Sequence, residues 1–374
     1  MFYFSQINTY KDATGRNGLI DCAKGLAIIL MVAGHACTEG GAFTHWLHDF
    51  IYTFHMPFFF IISGYLYKAE KGNRPLGYVK SKFNSLYVKF IFYNVAFILL
   101  NNLLWKIGII NADYTFYGSS WHQYSVGEIG DRILRTLVTF GLPEWTALAL
   151  WFLKDLFLVA IIFMFALKII YVKEHFEWFV IACLIVGCLF PTFTLPYLGI
   201  NVKRVACELF LYGFGYMLKY KTVKLNTLVV LILVAVSLIS PFVFDFMELQ
   251  YVNGLFTTLR FLILGIVGFL WFMWICEQVY SKKNVCINRA LRTVNQNAIP
   301  IMAMHVVFFK IGTFTLSGGG ISAYNIVSYN DTNWLWLPYT IIGVVGPMMI
   351  TFVCNRIKRY LNIKNKWKVK QQVD

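Results

Sequence analysis

The sequence predicts an all-α polytopic membrane protein of about ten transmembrane helices, with both termini in the cytoplasm. Three observations predict it. Of 374 residues, 58% are apolar and only 14% charged, against about 25% charged in a soluble domain. Ten apolar runs are long enough, or nearly so, to cross a bilayer. Basic residues crowd into alternate connections between those runs. The same composition excludes a soluble enzyme, a disordered chain and a small disulfide scaffold.

The runs fall at 19–37, 46–66, 83–108, 147–171, 177–191, 202–218, 226–244, 255–277, 298–316 and 334–355. The fifth is short, and Pro191 and Pro196 mark its early end. The connections at Lys11 and Arg16, Lys68–Lys82, Lys173, Lys219–Lys224, Lys282–Arg292 and Arg356 onward hold 22 Lys/Arg. The alternate connections, 38–45, 109–146, 192–201, 245–254 and 317–333, hold two, Arg132 and Arg135. That asymmetry faces the basic set and both termini to the cytoplasm and requires an even number of spans. It also accounts for the net charge of +15, with no basic face on a water-soluble module to suggest a nucleic-acid partner.

The chain 1–374 reads as a single domain: a cytoplasmic N-terminus at 1–18, a transmembrane core at 19–355 and a basic tail at 356–374. Lys11, Arg16 and Lys24 before Leu26–Ala33 imitate a signal peptide, but the apolar core is short and lacks a small-x-small cleavage site, so the first segment stays in the mature protein. The 109–146 connection reads as a lid over the outer face or as a plain connector. Eight scattered cysteines form no C-x-x-C pair and read as buried apolar residues; no metal site is expected.

Ionisable residues inside a bilayer cost at least ~2.5 kcal/mol each at a helix centre and need a reason. In the first segment, Lys24 and His35 lie eleven residues apart, which is three turns and about 16 Å on one helix face. Asp21, Ile28 and Val32 complete that stripe, and Glu39 follows one turn later. The chemical reading is a cation near the cytoplasmic mouth and a proton-transferring imidazole deeper in, sharing one cavity. The plainer reading has Lys24 snorkelling to the interface and His35 bonding a neighbouring helix.

A second stripe runs through His48, Tyr52, His55, Phe59 and Ser63, with Pro57 kinking the helix beside His55. Here His48 reads as interfacial and Phe59 as packing. Lys154, Asp155, Glu208 and Arg260 read as mutually neutralising charges. His305 lies too deep in the ninth segment to snorkel.

Arg16-Asn-Gly-Leu-Ile-Asp21-Cys-Ala-Lys24 through Gly34-His35 resembles the opening signature of the acyltransferase-3 family of integral membrane acyltransferases, in which Arg or Lys precedes His by eleven residues. Phe54-His55-Met56-Pro57 through Ser63-Gly64-Tyr65-Leu66 resembles the family's second block, and Trp151-Phe152-Leu153 and His305 are similar to weaker landmarks. The resemblance implies a ten-helix core that moves an acyl group, usually acetyl, from acyl-CoA to a hydroxyl of a carbohydrate or lipid-linked glycan. It implies Lys24 and His35 as the essential basic residue and catalytic histidine, and His55, Ser63 and Tyr65 as site positions. The paired arginines that members of the family often carry on the cytoplasmic side of the third helix are replaced by Lys80-Ser-Lys82, so donor binding is expected from Lys80 and Lys82.

The resulting expectation is an O-acetyltransferase of the cell envelope, in a bacterial inner membrane, with acetyl-CoA as co-substrate and no permanently bound cofactor. Neutral His35 acts as general base, for which an imidazole pKa near 6.5 is suited. His55 is an orienting partner or a donor to the developing oxyanion, Lys24 neutralises donor or oxyanion charge, and Asp21 and His305 are further candidate site residues. An acyl-histidine relay is a variant. Acceptor chemistry is expected within the membrane core, without an appended esterase-like domain. The competing class is a secondary transporter or lipid-linked glycan flippase with a proton relay.

Overall fold

The computed structural model describes residues 2–11, 15–37, 41–110, 115–116, 119–120, 122–138, 144–169, 174–195, 199–221, 223–244, 246, 248–249, 252–282, 284–316 and 335–371. Glu39, Lys173, Pro196 and the 317–333 connection lie outside the described residues. The fold is nearly all-α. Its helices are α1 (Gly18–Ala36), α2 (Ala42–Tyr52), α3 (His55–Tyr65), α4 (Pro75–Lys82), α5 (Val88–Lys106), α6 (Val126–Val138) and α7 (Trp151–Ala166). They continue with α8 (Phe176–Leu189), α9 (Val202–Leu218), α10 (Thr227–Val243), α11 (Leu255–Ser281), α12 (Val285–Gln296), α13 (Ala298–Leu316) and α14 (Trp336–Gln371).

Six stretches among the described residues are long and apolar enough to cross a membrane: Gly18–Ala36, Pro75–Lys106, Thr146–Ala166, Leu255–Ser281, Ala298–Thr315 and Trp336–Leu361. Two more, α8 and α10, are apolar but shorter. The remaining two predicted runs are helical for different reasons. The 202–218 run is α9, whose first turn carries Lys203 and Arg204. The 46–66 run is broken into α2 and α3.

Local chemistry sets these elements. At the start of α1, the Asn17 side chain accepts from the Ile20 N–H at 3.0 Å, and Asp21 places negative charge in the first turn, where the helix dipole favours it. A π-turn at Phe83–Tyr87 joins α4 to α5. Two close approaches need glycine: a Cβ on Gly64 of α3 would lie 1.8 Å from the Tyr212 carbonyl oxygen, and one on Gly215 of α9 would lie 1.9 Å from that of Ile61. Small residues thus let α3 and α9 meet backbone to backbone, as membrane helices do.

The stretch assigned to a cytoplasmic connection, Lys282–Arg292, runs into α12, which packs across the first half of α1: the Leu291 carbonyl lies against Gly25, and Asn295 and Arg292 reach Asp21. The 109–146 connection carries α6 and is pinned to α5, since the Asn102 side chain donates to the Tyr124 carbonyl at 2.8 Å and accepts from its N–H at 2.7 Å. Six cysteines are buried, whereas Cys286 and Cys354 are exposed, because both sit on outward faces of their helices. α14 continues through the basic tail to Gln371.

Candidate active site

The break between α2 and α3 builds the site. Pro57 has no N–H to offer the Thr53 carbonyl, and at Phe54 the backbone leaves helical geometry (φ −132°, ψ −20°). The kink expected at Pro57 is therefore a full interruption at Thr53–Phe54. His55 begins the new helix, and its ring Nδ1 lies 3.0 Å from the Ile51 carbonyl oxygen at the end of the old one. A carbonyl can only accept, so Nδ1 carries the proton and Nε2 of the neutral ring is a lone pair.

His305 on α13 repeats the arrangement. Its Nδ1 donates to the Ile301 carbonyl at 3.0 Å, and its buried Nε2 has no hydrogen-bond partner among the described residues. The His305 ring lies 5.1 Å, centroid to centroid, from His35 in the last turn of α1. His35 Nδ1 is 2.9 Å from the Tyr52 hydroxyl. Tyr52 in turn packs between His48 at 4.2 Å and His55 at 4.8 Å.

His35, Tyr52 and His55 open onto one small cavity. Its polar wall is His35, Tyr52, His55 and Glu248; Met31, Met56, Phe59, Ala149, Trp151, Phe152 and Met302 supply the rest. Glu248 was invisible to the sequence reading because it falls in the 245–254 connection. The signal was present in the apolar neighbours Phe244, Phe246 and Leu249: Phe246 packs on His48 and Tyr52 and folds that connection onto the site. No described residue of 109–146 lines the cavity.

Behind Trp151 lies a buried charge cluster. The Arg204 guanidinium stacks 5.2 Å from the Trp151 ring, reaches Asp155 at 2.8 Å and Glu208 at 3.7 Å, and Lys154 Nζ is 4.0 Å from Asp155. Neutralisation thus centres on Arg204, which the sequence reading missed, while Arg260 stands apart over the Phe244 ring.

The other sequence-predicted residues lie elsewhere. Lys24 is not in the cavity wall; it sits about two turns below Met31, beside Asp21 and Arg16. Asp21 pairs with Arg16, accepts from Asn295 Nδ2 at 2.9 Å and lies 3.8 Å from Arg292. The Tyr65 hydroxyl donates to the Phe4 carbonyl at 3.3 Å, so α3 ends against the N-terminal segment; Ser63 is half-buried two residues earlier. Lys80 is exposed on α4, and Lys82 Nζ lies 5.7 Å over the Tyr78 ring. At the base of that connection, burial pushes the Tyr67 phenol up to about 12, and its carbonyl accepts from Lys219 at 2.9 Å.

A family described as an acyltransferase domain matches residues 17–356, from the Asn17 cap to the first basic residue of the tail. The chain belongs to the acyltransferase-3 family. It is a multi-pass membrane acyltransferase, and membership fits acyl transfer to carbohydrate-type acceptors in general. No curated protein and no solved structure matches it significantly.

Proposed function

We propose that this acyltransferase moves an acetyl group from acetyl-CoA to a hydroxyl of a cell-envelope carbohydrate or lipid-linked glycan, in a bacterial inner membrane that it crosses ten times with both termini in the cytoplasm. The observation that carries the reading is His35: an imidazole held through Nδ1 by Tyr52, set beside a second imidazole and lining a cavity with a buried carboxylate. That arrangement suits a general base far better than a structural histidine, whose two nitrogens would both be bonded.

With Nδ1–H donating to the Tyr52 oxygen, the Nε2 lone pair of His35 takes the proton of the acceptor hydroxyl as its oxygen attacks the thioester carbonyl. The tetrahedral intermediate collapses by breaking the C–S bond, and the proton returns from Nε2 to the departing thiolate. Nothing is left on the enzyme. His305, with its own lone pair beside His35, stabilises the imidazolium. His55 acts as an acceptor that orients the substrate hydroxyl, because its Nδ1 proton is committed to Ile51 and the neutral ring has none to offer an oxyanion at Nε2. Glu248 adds a carboxylate acceptor for sugar hydroxyls, and Trp151 an aromatic face.

Lys24 serves the donor rather than the oxyanion. It lies about 16 Å along α1 from His35, a separation the extended pantetheine arm of a CoA thioester spans, so the phosphates stay with Lys24, Lys80 and Lys82 while the thioester reaches the imidazole. Ser63 and Tyr65 border that lower region. The test follows labelled acetyl from acetyl-CoA to glycans in membranes carrying His35→Ala or His35→Gln. The expected loss is about 10²–10⁴-fold with unchanged folding; transfer at the parental rate overturns the general-base role.

A further inference from the structure

The first turns of α2 hold a cluster that acyl transfer does not use. His45, His48 and Asp49 stand at i, i+3 and i+4, which places them on one helix face. Their ligand atoms all lie within 4.8 Å of one another: His48 Nδ1 is 2.8 Å from Asp49 Oδ1, and His45 Nε2 is 3.9 Å from Asp49 Oδ2. Two ligands on one tetrahedral zinc ion, each bonded at about 2.0–2.1 Å, stand about 3.3 Å apart. The two separations to the Asp49 carboxylate bracket that figure, and the His45 side chain, 67% exposed, has room to turn toward the other two ligands.

We propose that His45, His48 and Asp49 bind one divalent transition-metal ion of the zinc class. Two imidazoles and one carboxylate suit Zn²⁺ and disfavour Mg²⁺, which prefers oxygen ligands and keeps its waters. Three protein ligands leave one position for water. Access is from the His45 side, while Asp49, 8% exposed, forms the floor. The expectation of no metal rested on cysteine spacing, which does not test a helix-face trio of this kind.

The site has a consequence for the cavity. His48 packs 4.2 Å from Tyr52, and Tyr52 holds His35. A dication here stands one aromatic ring from the base and opposes the positive charge that His35 gains when it takes a proton. Occupancy therefore slows transfer. This second half rests on the general-base reading above; the binding half does not.

Calorimetric titration of tag-free protein in lipid nanodiscs with Zn²⁺, and with Mg²⁺ as control, separates the two halves. One Zn²⁺ per chain is expected, with His45→Ala and Asp49→Asn each weakening binding at least tenfold, and with no Mg²⁺ uptake. His45 is exposed, so its variant should keep the parental metal-free melting temperature and serve as the folding-safe test. Zn²⁺ uptake that is absent, or that survives both substitutions and disappears in His35→Gln, overturns the site. In the transfer assay Zn²⁺ should slow the parent at concentrations that track its binding, with the dose shifted at least tenfold in His45→Ala. Retained binding without slowing removes the regulatory half alone.

Discussion

The two ends of α1 carry similar chemistry and use it oppositely. At the N-terminal end Asp21 is surrounded: Arg16, Arg292 and Asn295 converge on one carboxylate, and α12 is held across the helix by that convergence. At the other end His35 has one hydrogen-bonded partner among the described residues, Tyr52, and a cavity at its side. A polar group whose bonds are all made to protein holds helices together, and changing it costs stability. One whose lone pair is left facing a space keeps that bonding capacity for a ligand. The charge cluster around Arg204 matches neither end: ion pairs to Asp155 and Glu208 hold it behind Trp151, yet among the described residues its bonds to protein are not all made.

The sharpest way to break this comparison is to damage each end in turn. His35→Gln should cut turnover by the ~10²–10⁴-fold typical of general-base loss while leaving the melting temperature unchanged. Asp21→Asn should do the reverse. It removes hydrogen bonds to charged partners worth about 1.5–3 kcal/mol in total, toward the lower figure because Arg16 and Arg292 are partly solvent-exposed. Its signature is a lower melting temperature and less folded protein, with turnover per folded molecule kept within about twofold. Equal losses of turnover at both ends would erase the distinction and give Asp21 a chemical role.

Each of the ten apolar runs is helical, because hydrophobic length and charge asymmetry are local signals. Six are long enough to span without help. The break at Thr53–Phe54 was half legible: Pro57 announced a distortion, but whether the helix bends or stops is decided by Phe54 and by what His55 finds to bond. The two stripes held His35 apart from Tyr52, His55 and Phe59; the structure brings the four to one wall across the break between α2 and α3, a meeting that helix phase does not encode. The first stripe put Lys24 in phase with His35, yet phase says nothing of height, and the cavity stops at Met31. Glu248 and His305 reach the site through tertiary folding of distant segments, for which one sequence carries no periodicity. The same holds for Arg204, which sits in the first turn of α9 and so belonged to neither set of connections.

Tyr52→Phe tests the hydrogen bond that holds His35. Removing the hydroxyl keeps the ring packed on His48 and His55 and takes away one bond of about 0.5–1.5 kcal/mol, so turnover should fall about 2- to 12-fold, with KM for acetyl-CoA unchanged. A loss as large as that of His35→Gln would mean that the phenol itself moves the proton.

The smallest effect is expected farthest from the cavity. Lys80 is exposed and Lys82 half-buried on α4, so each contributes to phosphate binding as a screened point charge, on the order of 0.2–1 kcal/mol. Replacing both with Gln should raise the apparent KM for acetyl-CoA about 2- to 30-fold and leave kcat in place. Salt separates this role from mere membrane orientation. Parental KM should rise with ionic strength as the Debye length falls from about 10 Å at 0.1 M to about 3 Å at 1 M, while the double variant responds less. A variant with parental KM and parental salt dependence leaves Lys80 and Lys82 with topology alone, and moves the search for the donor phosphates toward Lys24.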